Sequence, residues 1–205
     1  MNILLHPTYF PSIAQFVAIA QADSVTFEMF DNFQKQTYRN RSYIYGANGK
    51  LKLSVPVIHT HKERQLYKDV KISDTEKWQL IQWKSLESAY KTSPFFEFYE
   101  DELRPLFTTP SASIFDHNIK CFQVVLDCLQ LDVPVKYTSE YEKAPVGLKD
   151  YRALANARQE QQLTLESYTQ VFSIKHGYIS NLSILDLLFN EGTNALSYLE
   201  AQQLP

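Results

Sequence analysis

Residues 2–11 read NILLHPTYFP. Asn2 to His6 is a short apolar run that stops against Pro7, the pattern of a strand with a breaker behind it. From about Ser12 to Ala22, Ile13, Phe16, Val17 and Ala20 recur at helical spacing and make one apolar stripe. Pro11 stands at or just before the first turn of that helix, where a missing N–H costs nothing. Ser24 to Met29 is a second strand. Strand, helix and strand within about 28 residues predict a parallel βαβ unit. In an open α/β sheet ligands sit beyond the carboxyl ends of the strands, so His6 to Pro11 falls where a ligand would bind. Pro7 and Pro11 fix φ at two points and bias His6 and Phe10 towards extended geometry, so the loop can hold a ring in one orientation. His6 can then serve as acid, base or hydrogen-bond donor; the alternative is a histidine tied down in a tight turn.

Outward from this unit, Ser42 to Gly46 and Leu51 to Val57 flank Asn48-Gly49, a pair suited to the positive φ angles of a hairpin turn. Leu51, Leu53, Val55 and Val57 alternate with polar residues, and Pro56 marks a strand end or sheet edge. His59 to Arg64 reads as a polar loop, and Val70 to Ile72 returns to the sheet, which is expected to be mixed. Helical signals begin at Ser73, where Ser73 with Glu76 fits a capping box; Trp78, Ile81, Leu86, Ala89 and Tyr90 follow and Pro94 stops the pattern. Ser113 and Asp116 cap a second helix carrying Phe115, Ile119, Phe122, Leu126 and Leu129 on one stripe. Val133 to Tyr137 is another strand, and Asp150 to Arg158 and Leu165 to Phe172 read as short helices. Ser183 with Asp186 caps Ile184 to Phe189, and Gly192 ends that turn before a terminal helix. The expected fold is α/β: a mixed β-sheet opening with a βαβ unit and a hairpin, followed by a largely helical C-terminal half. One domain, 1–205, is expected, with its α/β part over about 1–72 and its helical part over about 73–205.

Composition narrows the function classes. The chain has 205 residues, 44% hydrophobic and 21% charged, enough to bury a full core. It has no apolar run near a membrane span and no leader-like N-terminus, so a soluble, cytoplasmic protein is expected. Cys121 and Cys128 fall seven apart in a helical segment, too far to bridge, and read as buried thiols. The net charge of -3 hides a basic block: residues 35–91 carry 12 basic and 5 acidic residues, while 92–142 carry 3 and 9. That block can face an anionic ligand or simply be a solvated surface. Nucleic acid is disfavoured by the acidic balance and the interrupted basic run. No P-loop, G-x-G-x-x-G, G-x-S-x-G or H-E-x-x-H occurs. His59 and His61 with Glu63 hold too few ligands for a zinc site and fit an exposed loop better. Trp78, Trp83, Phe95, Phe96, Phe98 and Tyr99 can stack on bases or sugars but more often form core and rim. After the second strand, Lys35, Arg39 and Arg41 can neutralise a phosphate or carboxylate, or pair with Glu28 and Asp31.

Several pieces recur together in order: His6-Pro7-x-Tyr9-Phe10-Pro11, Phe33-x-Lys35, Asn40-Arg41, Leu53-Ser54-Val55-Pro56-Val57, Tyr90-x-x-Ser93-Pro94-Phe95-Phe96, Tyr168-x-Gln170-x-Phe172 and Leu182 to Leu188. The ordered set resembles the WbqC-like family over nearly the whole chain. The resemblance implies a link to bacterial O-antigen clusters and a suggested glycine transferase role. This chain departs from the pattern in carrying Pro7 directly after His6, Met29 and Phe30 where many members have paired aspartates, and Asn32 in place of Gln; these departures argue against a metal-assisted transfer. The reading that follows is a transferase acting on an activated, anionic small-molecule donor, with no cofactor. His6 is the acid/base candidate, Tyr9 and Gln34 are orienting groups, and Lys35, Asn40 and Arg41 form the donor's clamp. The alternative is a non-catalytic module that recognises a nucleotide sugar, a polysaccharide precursor or a protein partner. Oligomeric state is not legible.

Overall fold

The computed structural model describes residues 1–58, 64–74, 77–157 and 164–204. The chain opens on β1 (Asn2–Leu5), whose Ile3, Leu4 and Leu5 are buried. Ser12 accepts a hydrogen bond from the Gln15 N–H and caps α1 (Ile13–Ala20). β2 (Ser24–Phe27) then pairs parallel to β1, from Asn2 against Ser24 to Leu5 against Phe27. The βαβ unit is therefore present, with strands a residue or two shorter than the apolar pattern suggests.

β3 (Arg41–Gly46) and β4 (Gly49–Ser54) form the hairpin, closed at Gly46 and Gly49. Of the Asn48-Gly49 pair only Gly49 takes a positive φ, +100°. β5 (Val57–Ile58) pairs antiparallel with β6 (Lys71–Ile72). Four helices follow: α2 (Trp78–Tyr90), α3 (Phe96–Leu103), α4 (Pro105–Thr108) and α5 (Ile114–Leu129). α5 starts on the Ser113 hydroxyl, which accepts from the Asp116 N–H as its cap pattern predicts. Glu76 of the proposed capping box lies outside the described residues, and α2 starts without a side-chain cap among them.

Two further strands complete the main sheet, β7 (Val135–Tyr137) beside β2 and β8 (Lys149–Asp150) beside β1, giving the order β7-β2-β1-β8. All pairings in it are parallel. The fold is α/β, but its antiparallel pairing is confined to two small separate sheets instead of mixing into one. The hairpin stays apart because the outer edge of β3 is already used: the Tyr45 N–H donates to the Tyr90 hydroxyl and the Tyr43 carbonyl accepts from the Ser183 N–H. Ile3, Leu5, Val25 and Phe27 face the helices, where the Phe122 ring meets Phe27 edge-on at 4.9 Å and Phe16 at 6.1 Å. Leu4 and Thr26 face the other way, under the connection 138–148 that carries the chain from β7 to β8.

Of the helix expected over Asp150 to Arg158, Arg158 lies outside the described residues and the rest is not one helix. Lys149–Asp150 pairs with β1 and Arg152–Ala155 makes a short 3-10 turn. Leu165 to Phe172 is not helical either, and the physical reason is a buried carboxylate. Tyr168 and Gln170 reach Asp186 from a stretch without regular structure: the Tyr168 hydroxyl donates to Oδ2 at 2.5 Å and Gln170 Nε2 at 3.0 Å, while the Tyr90 hydroxyl donates to Oδ1 at 2.6 Å. The spacing of Leu165 and Tyr168 only mimics a helical stripe. After a single turn, α6 (Ser173–His176), come α7 (Ile184–Glu191) and α8 (Ala195–Ala201). Gly192 separates them at φ +55°, where an added Cβ would fall 2.5 Å from the Phe95 ring. Trp78, Trp83, Phe96 and Tyr99 are buried core residues, whereas Phe98 is exposed. Cys121 and Cys128 are free thiols, and burial pushes Cys128 up to about 12. Among the described residues no helix is long and apolar enough to cross a membrane.

Candidate functional site

The loop after β1 divides its residues between core and site. Tyr9 is fully buried, its hydroxyl donating to Gln82 Oε1 at 2.6 Å and its ring stacked on His117. Phe10 stacks on Phe107, and its carbonyl accepts from the hydroxyls of Ser42 and Ser183. That grip holds Phe10 at φ +40°, left-handed and not extended as Pro11 alone would favour. The Tyr67 hydroxyl donates to the Pro7 carbonyl at 2.6 Å. The aromatic pair thus plugs the loop into the core and leaves His6 to face a cavity.

That cavity, about 240 Å³, is lined by His6, Asp31, Gln34, Arg39, Tyr141 and Arg152 among others. It lies between the carboxyl ends of β1 and β8. From β1 the chain goes to β2 on one side and returns as β8 on the other, so this is the point where strand order reverses, the position at which open α/β sheets hold ligands.

Three ionisable groups meet there. Arg39 Nη2 donates to Asp31 Oδ2 at 2.6 Å and to His6 Nε2 at 2.7 Å, and Arg39 Nη1 donates to the Asn32 carbonyl. A guanidinium cannot accept a hydrogen bond, so His6 Nε2 is the acceptor and the imidazole proton sits on Nδ1. The 3.2 Å approach of His6 Nε2 to Asp31 is therefore not an ion pair in this state. Burial, with the Arg39 charge beside it, lowers His6 to about 4 despite the nearby carboxylate. Burial alone would raise Asp31, but His6, which is protonated in the acid range where Asp31 titrates, and the Arg39 cation outweigh it and hold the carboxyl at about 2. His6 Nδ1 and Arg39 Nε are both buried and find no hydrogen-bond partner among the described residues. The Arg39 guanidinium also rests over the Tyr67 ring at 5.3 Å.

Arg152, at the β8 side, is engaged throughout. It makes a forked contact to Asp150, reaches Glu28 Oε2 at 3.4 Å, and donates to the carbonyls of Glu142 and Lys143. Its guanidinium lies 5.2 Å from the Tyr141 ring. It fastens the 138–148 connection over the sheet edge, and its hydrogen bonds are already spent.

Of the residues read from sequence, the structure brings His6 and Gln34 into the cavity. Lys35 is exposed beside Gln34, and Asn40 and Arg41 flank Arg39 without lining the cavity, with Asn40 Nδ2 donating to the Val55 carbonyl. Asp31 and Arg39 form the ion pair that the sequence offers as the alternative to anion binding. Arg152 carries no signal in the sequence, because the strand before it is two residues long and exposed. His59, His61 and Glu63 lie outside the described residues. Among the described residues no group of three or more His, Cys, Asp or Glu could hold a metal ion.

A parallel sheet with a polar cavity at its switch point makes this an α/β protein with a candidate ligand site. More particularly, the chain belongs to the WbqC-like protein family, whose profile matches residues 6–164. A Mycobacterium tuberculosis protein described as uncharacterized protein Rv1507c is 24% identical over 224 aligned positions, covering 96% of each chain. No solved structure matches the chain.

Proposed function

We propose that the cavity binds an activated, anionic donor and that the protein transfers a group from it, aminoacyl or related, in the bacterial cell-surface polysaccharide chemistry that the family resemblance implies. One observation carries this reading: Arg39, buried and with Nε unpaired among the described residues, shares the switch-point cavity with a neutral histidine. Arg39 takes the anion-facing role that the sequence suggests for Arg41, and Gln34 orients the ligand from the rim. Tyr9 acts at one remove, as the core anchor that sets His6. Lys35 and Arg41 supply positive potential, and Asn40 fixes the turn beside Arg39 through its bond to the Val55 carbonyl. His6 remains the acid/base candidate.

A second reading, a non-catalytic binding module, is favoured by one feature. His6 Nε2 is occupied by Arg39, and an imidazole lowered to about 4 is a weak base. Thermal unfolding against nucleotides, nucleotide sugars, aminoacyl donors and inorganic phosphate tests both. A ligand at 100 times its Kd stabilises by about 2.7 kcal/mol. Gln34→Glu, an exposed change that adds negative charge at the rim, should remove the shift without unfolding the protein. A hit that is consumed on incubation supports transfer, and a hit that only saturates supports the module. A shift left intact in Gln34→Glu, His6→Ala and Arg39→Lys would sink the site assignment.

A further inference from the structure

The three-group contact at the cavity wall has two self-consistent hydrogen-bond arrangements. In the first, both hydrogens of Arg39 Nη2 are committed, one to Asp31 Oδ2 at 2.6 Å and one to His6 Nε2 at 2.7 Å. In the other, Arg39 gives the second hydrogen elsewhere, and Nε2, 3.2 Å from Asp31 Oδ2, carries a proton and donates it to that carboxylate. The trigger is any acceptor that competes for the Arg39 hydrogen, and the cavity is where such an acceptor would arrive.

Resting on the anionic-ligand reading of the cavity, we infer that an oxyanion, phosphate or carboxylate, accepts from the unpaired Arg39 Nε and from the Nη2 hydrogen now given to His6, and that His6 Nε2 then picks up one proton from solvent and donates it to Asp31. No covalent bond changes. The neutral imidazole becomes an imidazolium, the proton comes from buffer, and its charge offsets one charge of the anion. The bound state therefore holds a charged acid beside the ligand that the free protein lacks.

The surroundings set the sign. His6 faces Asp31 and Arg39 from the segment after β2, Asp150 and Arg152 from the end of β8, and the Tyr67 ring from the turn at 67–69. Asp31 and Asp150 favour the imidazolium, whereas burial, Arg39 and Arg152 oppose it. An anion on Arg39 removes one opponent and adds an ally. Free His6 at about 4 leaves the site unprotonated at neutral pH, so the proton is taken up on binding.

Calorimetric titration with inorganic sulfate, which does not itself titrate in this range, reads the uptake when repeated in two buffers of different ionisation enthalpy. At about pH 6 the wild type should take up between about half a proton and one per sulfate bound, with affinity rising up to about tenfold per pH unit as pH falls. His6→Gln should bind sulfate with no uptake and a flat pH profile. NMR of the His6 ring nitrogens in the wild type should show Nδ1–H alone in the free protein and both nitrogens protonated with sulfate, a readout that needs no variant. Sulfate bound without proton uptake, or with equal uptake in His6→Gln, overturns this inference and leaves the anionic reading standing. No binding of sulfate or phosphate between about pH 5 and 8 overturns both.

Discussion

Two carboxylates with buried partners can be set side by side. Asp186 is fully enclosed, and each of its partners is itself supplied: the Tyr90 hydroxyl accepts from the Tyr45 N–H, and the Tyr168 hydroxyl accepts from Gln170, which also bonds both backbone groups of Ile179. Asp31 is partly exposed at a cavity, and its partners Arg39 and His6 each retain a buried nitrogen without a partner among the described residues. Burial raises the Asp186 carboxyl against its hydrogen bonds, while at Asp31 the opposition of His6 and Arg39 outweighs burial and lowers the group. A closed network fixes the fold. An open one at the sheet edge has capacity for a ligand, and the difference lies in what remains unpaired, not in how many charges are buried.

The contrast breaks first under matched substitutions. Asp186→Ala should leave two tyrosine hydroxyls and an amide without their acceptor and lose about 3–5 kcal/mol in urea unfolding. Asp31→Ala, whose partners adjoin a cavity that admits water, should lose only about 1–2 kcal/mol. Equal losses would erase the distinction.

Acid sharpens it next. His6 and His117 are both lowered by burial to about 4, against an unfolded value near 6.5. Between those values the unfolded chain binds more protons, so stability is full above about 6.5 and falls as pH drops towards 4, by about 3 kcal/mol for each histidine. His6→Gln should remove about half of that acid slope, and saturating sulfate should remove the same half from the wild type. His117, stacked on Tyr9 in the core, should keep its share under both treatments.

Smaller effects grade the network. Tyr168→Phe deletes one hydroxyl from Asp186 and should cost about 1–2 kcal/mol in the same urea experiment. Gln34→Ala, on an exposed residue, should change stability by less than about 0.5 kcal/mol. Its effect belongs in ligand affinity, and a larger loss of stability would show that the cavity rim is structural.

What the sequence makes legible follows from the range of the interactions. The βαβ unit, the Ser113 cap and the Gly192 stop depend on neighbours a few residues away, and their patterns read directly. β8 escapes because two exposed residues have no period. The irregular stretch through Tyr168 and Gln170 escapes because its side chains are held by Asp186, on a separate element. In the site, His6 is found from its place after the first strand. Arg39 is visible within the basic segment but cannot be ranked above Arg41 until its contact with His6, 33 residues away, is known. Arg152 is fixed by Glu28, 124 residues away, and no local pattern announces it.

The pairing of β1 with β8 joins Ile3 to Lys149 through two residues of strand, with the Tyr151 N–H bonded to the Leu4 carbonyl just beyond. During synthesis the first strand waits, with one edge unfilled, until most of the chain has been made, and the loop then closed is among the longest available to this protein. Few hydrogen bonds hold that seam, so its amides should exchange with deuterium ahead of those between β1 and β2. The wall that completes the cavity would then be the last part of the sheet to be assembled and the first to be released.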